Sequence, residues 1–124
     1  MKQTVQTSSA PQAIGPYSQA VALGDFVFTS GQLGIDVSSG KLAEGVEAQA
    51  ILAMKHIGSI LKEKGLGYPN IVKTTIFLKD MSDFKVVNAA YQSFFAADYP
   101  ARSTVQVAAL PLGGSVEIEC IAAL

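Results

Sequence analysis

From Val46 to Lys64 the chain repeats apolar residues at three- and four-residue steps: Val46, Ala50, Ala53, Met54, Ile57, Ile60 and Leu61. That spacing predicts an amphipathic helix, with Gln49, His56, Ser59 and Glu63 on its polar face. Gly65 and Gly67 stop it. A helix with one apolar stripe must bury that stripe against another element. The next residues supply it: Ile71-Val72-Lys73-Thr74-Thr75-Ile76-Phe77-Leu78 is a strand by its β-branched composition. The chain must therefore mix helix and sheet.

The rest of the sequence fits around this pair. Ala10 to Pro16 carries two prolines and a glycine and resists regular structure. Gln19 to Leu23 and Phe26 to Ser30 are β-prone runs flanking Gly24-Asp25, the pattern of a tight hairpin. Gly31 and Gly34 end the second of these strands, and Val37 to Gly40 reads as a turn. A second helix follows Asp80 or Ser82 as N-cap, with Phe84, Val87, Tyr91 and Phe94 as its buried stripe and Pro100 closing the segment. Thr104 to Val107 and Val116 to Ala122 are the last strands, with an extra N-terminal strand placed within Gln3 to Ser8. The expected fold is α+β: a two-layer sandwich, two helices on one face of a sheet, in a single domain over 1–124. The second sheet face is left uncovered. The chain is 49% hydrophobic and only 15% charged, so another copy of the chain is its natural cover.

Charge and cysteine content exclude several roles. The net charge is −1 and there is no basic run, so the electrostatic footprint of a nucleic-acid binder is missing. No apolar run approaches the roughly 18 residues of a membrane span. Cys120 is the one cysteine and has no partner for an internal disulfide. Together with an N-terminus that lacks an apolar signal segment, this makes cytoplasmic the expected location. Cys120 alternates with Ile118 into the apolar face and reads as a buried thiol. His56 reads as an exposed helix histidine, with no second ligand at metal spacing.

Arg102 is the single arginine; every other basic side chain is a lysine or His56. A guanidinium is a flat fork that grips a carboxylate with two parallel hydrogen bonds, which an ammonium cannot do. By spacing alone, Arg102 could equally be spent on a surface pair with Asp98 or a strand carboxylate. Glu117 and Glu119 flank Ile118 and point to one sheet face. An anion clamp plus a carboxylate that handles a proton is a minimal site for a small organic acid.

The residues in combination resemble a known family. Ile14-Gly15-Pro16-Tyr17-Ser18-Gln19-Ala20, Thr29-Ser30-Gly31-Gln32, Val72 to Asp80, Tyr99-Pro100-Ala101-Arg102-Ser103 and Val116-Glu117-Ile118-Glu119 are similar, in order, to the RidA (YjgF) family of imine deaminases. That resemblance implies a chorismate-mutase-like fold with a mixed sheet, assembling as a homotrimer with sites in clefts between subunits. It implies hydrolysis of 2-aminoacrylate, 2-iminopropanoate and 2-iminobutanoate to 2-keto acids and ammonia, without metal or cofactor. Its site residues map onto Arg102 for the carboxylate, Glu117 for the water, and Tyr17, Ser30, Gly31 and Asn88 for substrate binding. Thr104 stands where many members carry cysteine, so thiol chemistry at the site is not expected. The alternative is a non-catalytic module that binds small carboxylate metabolites; it needs Arg102 but not Glu117. A nucleic-acid role, described for some relatives, fits the charge poorly.

Overall fold

The computed structural model describes residues 1–124. Seven strands and two helices follow in the order β1 (Gln3–Val5), β2 (Ala20–Leu23), β3 (Phe26–Thr29), β4 (Gln32–Leu33), α1 (Val46–Lys62), β5 (Ile71–Leu78), α2 (Phe84–Gln92), β6 (Ala101–Gln106) and β7 (Val116–Ala123). The α+β reading holds, including the extra N-terminal strand. The sheet runs β1-β2-β3-β7-β5-β6, with β4 also pairing β7. All pairings are antiparallel except β5 with β6. The parallel pair exists because α2 carries the chain back across the sheet, which a tight turn cannot do. It leaves β6 as an edge strand.

Local chemistry accounts for the elements. Leu23 pairs with Phe26, so Gly24-Asp25 is a two-residue hairpin loop, and Gly24 takes φ 59° at its first position. Asp80 accepts a hydrogen bond from the Ser82 backbone N–H at 2.9 Å and caps the single turn that leads into α2. Helix α1 buries Ala50, Ala53, Met54, Ile57, Ile60 and Leu61, as its spacing predicts. These meet Thr74, Ile76 and Leu78 of β5 and Val116, Ile118, Cys120 and Ala122 of β7, together with Val87 and Tyr91 of α2. Each large aliphatic side chain so buried contributes about 1.5–3 kcal/mol.

The structure corrects the sequence reading at several points. His56 is buried, not exposed: Nε2 lies 2.6 Å from the Ile35 carbonyl oxygen. Burial pushes its pKa below the ordinary histidine value. Gln49 is also buried, accepting from the Ser115 N–H at 2.9 Å and donating to the Ala43 carbonyl at 3.0 Å. Both side chains satisfy the backbone of segments that pass over the polar side of α1, a tertiary demand that helical periodicity does not encode. Gln32–Leu33 forms β4 where the glycines suggested only an end, because Leu33 and Gln32 pair with Glu117 and Ile118. Strand β6 begins at Ala101, so Arg102 is on the strand and not in a preceding loop. Cys120 is buried as expected, and burial pushes its thiol up to about 12.

The helices cover one sheet face only. On the other face stand Leu23, Phe26, Phe28 and Val105, all exposed, with Phe77, Glu117, Glu119 and Ile121 between them in register. The rings of Phe26 and Phe28 lie 6.3 Å apart. No helix is long and apolar enough to cross a membrane.

Candidate functional site

Arg102 lies opposite Thr74 in the β5–β6 register, and Thr74 is fully buried beneath α2. The Arg102 side chain therefore rises from the helix-covered face. There α2 presents Phe84, Asn88 and Tyr91, spaced four and three residues apart on one side of the helix. Arg102 Nη1 donates to Asn88 Oδ1 at 2.6 Å. The guanidinium carbon stands 5.2 Å from the centre of the Tyr91 ring and 5.6 Å from that of Phe84, within the range of cation–π attraction. The Tyr91 hydroxyl is tied to the Thr74 hydroxyl at 2.7 Å. Arg102 thus spends one hydrogen bond on a neutral amide and none on Asp98 or a strand carboxylate. It faces a cavity of about 410 Å³ lined also by Asn88, Tyr91, Gln92, Tyr99 and Pro100.

Glu117 occupies the other face. It pairs with Leu33 on one side and Phe77 on the other, and its neighbours Val116 and Ile118 point into the core. Gly31 lies against it: a Cβ there would stand 2.7 Å from Glu117 Cδ. The absent side chain is what lets the carboxylate sit at this spot. Burial, with a lesser contribution from the Glu119 charge, raises the Glu117 pKa above the ordinary glutamate value. Beside Gly31, Ser30 closes on the loop that carries Tyr17: the Ser30 N–H donates to the Gln19 carbonyl at 2.8 Å and Ser30 Oγ to the Ser18 carbonyl at 2.6 Å. Gln19 is buried and holds the same loop through the Thr7 N–H and the Thr7 and Pro11 carbonyls. Tyr17 is left exposed at its tip.

The six residues singled out in the sequence thus fall into two groups. Arg102 and Asn88 are in contact on the helix side of the edge strand. Tyr17, Ser30, Gly31 and Glu117 gather elsewhere, Glu117 on the open face. Strand β5 stands between β6 and β7, so strand spacing alone separates Arg102 from Glu117 by about 10 Å. Because the two side chains also leave the sheet in opposite directions, one copy of the chain cannot bring both to one small molecule.

Sequence reasoning placed Phe84 and Tyr91 in the core stripe. Tyr91 is buried, but Phe84 is exposed and lies beside the Arg102 guanidinium. The spacing of Phe84, Asn88 and Tyr91 on one helix face was the available signal. Thr104, two residues beyond Arg102 on the same strand face, has a buried hydroxyl oxygen with no hydrogen-bond partner.

Comparison with known proteins adds the family. The model of the family described as Endoribonuclease L-PSP matches residues 7–124. The 2-iminobutanoate/2-iminopropanoate deaminase of Homo sapiens is 47% identical over 98% of this chain and 90% of its own length. The enzyme of the same name from Salmonella typhimurium is 49% identical, with 98% of both chains covered. The chloroplastic Reactive Intermediate Deaminase A of Arabidopsis thaliana is 52% identical over 99% of this chain, which spans 66% of that protein's length. Among solved structures, RidA from the Antarctic bacterium Psychrobacter sp. superposes with a TM-score of 0.96 at 47% identity, covering 98% of this chain and 99% of that one. E. coli TdcF with bound serine superposes at 0.95 and 42% identity, covering 98% of each. Motifs, fold and near-complete coverage agree, and the chain belongs to the RidA (YjgF) family, described in sequence models as Endoribonuclease L-PSP.

Proposed function

We propose that the protein hydrolyses small 2-imino acids, 2-iminopropanoate and 2-iminobutanoate and their enamine tautomers, to 2-keto acids and ammonia. The observation that carries this reading is Arg102, a guanidinium held in place by a neutral amide and two rings, with no carboxylate upon it and a cavity beside it. Such a fork binds a substrate carboxylate and fixes the position of the neighbouring carbon.

The second component is Glu117. In the proposed site it comes from a neighbouring copy of the chain, with Tyr17, Ser30 and Gly31, so the active unit is an oligomer, read as a homotrimer from the family resemblance. The exposed apolar sheet face supports this, since Leu23, Phe26, Phe28 and Val105 would otherwise meet water. In the reaction the Glu117 carboxylate orients a water molecule and accepts its proton as the oxygen bonds to the imine carbon. With the imine protonated, this gives a neutral carbinolamine. The Glu117 carboxyl returns the proton to its nitrogen, and as the C–N bond breaks and ammonia departs, the carbinolamine hydroxyl gives its own proton to the Glu117 carboxylate and becomes the keto C=O. A raised pKa suits a group that must take up and return a proton, and such help is typically worth about 100- to 10,000-fold in rate.

The single histidine is buried, with its Nε2 engaged by the Ile35 carbonyl, and the low net charge offers little to a polyanion. Both favour a small-acid substrate over RNA. A cytoplasmic location belongs to the same reading, since a lone buried thiol suits a reducing compartment. The test couples the protein to a serine or threonine dehydratase and follows disappearance of the imine by trapping. Wild-type protein is expected to speed keto-acid release and Arg102→Ala to abolish the effect. Unchanged turnover in Glu117→Ala would remove Glu117 from the chemistry, whereas wild-type protein that binds 2-oxobutanoate without speeding keto-acid release would be a binding module without catalysis.

A further inference from the structure

We propose that Phe84 and Tyr91 are positioning residues for Arg102: the two rings flank the guanidinium and hold it so that its Nε–Nη2 edge stays free for the ligand carboxylate. This rests on the reading of Arg102 as the carboxylate clamp.

Three observations carry it. Arginine has a long side chain with many rotamers, and a fork is useful only if its plane is set before the ligand arrives. Here Asn88 Oδ1 engages Nη1 at 2.6 Å and no side chain engages Nε or Nη2. One hydrogen bond fixes a point but leaves the plane free to swing. The Tyr91 and Phe84 rings, at 5.2 and 5.6 Å from the guanidinium carbon, restrict that swing. The Tyr91 ring is itself locked, because its hydroxyl meets the fully buried Thr74 hydroxyl at 2.7 Å. Phe84 is 37% exposed. Substitution there is therefore tolerated by the core more readily than at Tyr91, which makes Phe84 the position at which to test the idea.

The rings act through Arg102 and touch neither the water nor the leaving nitrogen, so they govern ligand affinity more than turnover. The experiment measures binding of 2-oxobutanoate by calorimetry, with melting temperature as the control for folding. Phe84→Leu is expected to weaken binding about five-fold while the melting temperature stays near that of wild type, and Phe84→Tyr to restore it. Tyr91→Phe, which keeps the ring but loses the hydroxyl that locks it, is expected to lower stability and to weaken binding less than Phe84→Leu does. A larger loss than from Phe84→Leu with unchanged melting temperature would make the Tyr91 hydroxyl a ligand contact and count against the proposal. In an Arg102→Lys background, whose compact ammonium has no plane to set, Phe84→Leu should add little further loss. Equal affinity of Phe84→Leu and wild type would overturn the proposal, and so would an equal loss from Phe84→Leu in the wild-type and Arg102→Lys backgrounds. If wild-type protein binds no 2-oxobutanoate while still clearing imine, the clamp reading itself fails, and that outcome is distinct from either.

Discussion

The Arg102 region and the Glu117 region are built in different ways. Arg102 is finished within one chain: α2 supplies an amide and two rings, the buried Thr74 locks one ring, and a cavity is already open beside the fork. Glu117 is the reverse. It stands on the uncovered sheet face, is pressed only by the space that Gly31 leaves, and forms no side-chain hydrogen bond within the chain. Its pKa is raised by partial burial and, to a lesser degree, by the Glu119 charge, with no hydrogen-bond partner to hold it down. The pre-formed region suits recognition, since a rigid clamp loses little entropy on binding. The open region suits proton chemistry completed only when another copy arrives.

Substitutions can break the contrast in graded steps. Arg102→Ala should cost most, reducing kcat/KM by about 100-fold or more and abolishing measurable binding of 2-oxobutanoate. Arg102→Lys should recover part of the binding, leaving it weak but measurable, because a point charge keeps the attraction and loses the fork. Glu117→Gln should lower kcat about 100-fold while changing keto-acid affinity by no more than about three-fold; a comparable loss of affinity would place Glu117 in the clamp. The pH profile sharpens this. Glu117 must be ionised to accept a proton, so activity should fall as pH drops through its raised pKa, above the ordinary value of 4.5. Glu119→Gln removes a like charge, lowers the Glu117 pKa and should move that acid limb to lower pH, read from kcat/KM against pH.

Gly31→Ala should come next. The added methyl would stand 2.7 Å from Glu117 Cδ and push the carboxylate aside, lowering kcat about ten-fold with little effect on Arg102-dependent affinity. Thr104→Val should have the smallest effect. Its hydroxyl is buried without a partner, so removing it at constant shape should be neutral or mildly stabilising in thermal melts, with activity within about two-fold. A larger loss of activity would make that hydroxyl a ligand contact.

Much of this was legible in the sequence. The helical spacing from Val46, the Gly24-Asp25 hairpin and the alternation around Ile118 each describe contacts made by neighbouring residues, so periodicity captures them. What escaped was tertiary. His56 and Gln49 look like surface residues of α1 until Ile35, Ala43 and Ser115 pass over them with backbone groups to satisfy. Phe84 looks like core until the Arg102 guanidinium lies beside it. The motifs named Arg102 and Glu117 but could not tell that they leave the sheet on opposite faces. That fact depends on β5 lying between β6 and β7 and on the register, neither of which spacing along the chain contains.

The central claim is that a working site takes its clamp from one copy of the chain and its proton acceptor from another. Mixing two inactive variants tests it most directly. Arg102→Ala and Glu117→Ala proteins are unfolded, combined in equal amounts, refolded together, and assayed for imine clearance after mixed assemblies have been verified by mass. If the site spans neighbouring copies in a ring, about a quarter of the sites regain both residues, and activity should return to about a quarter of wild type. If activity stays at the level of the separate variants although mixed assemblies have formed, Arg102 and Glu117 do not meet across the interface, and the account is contradicted.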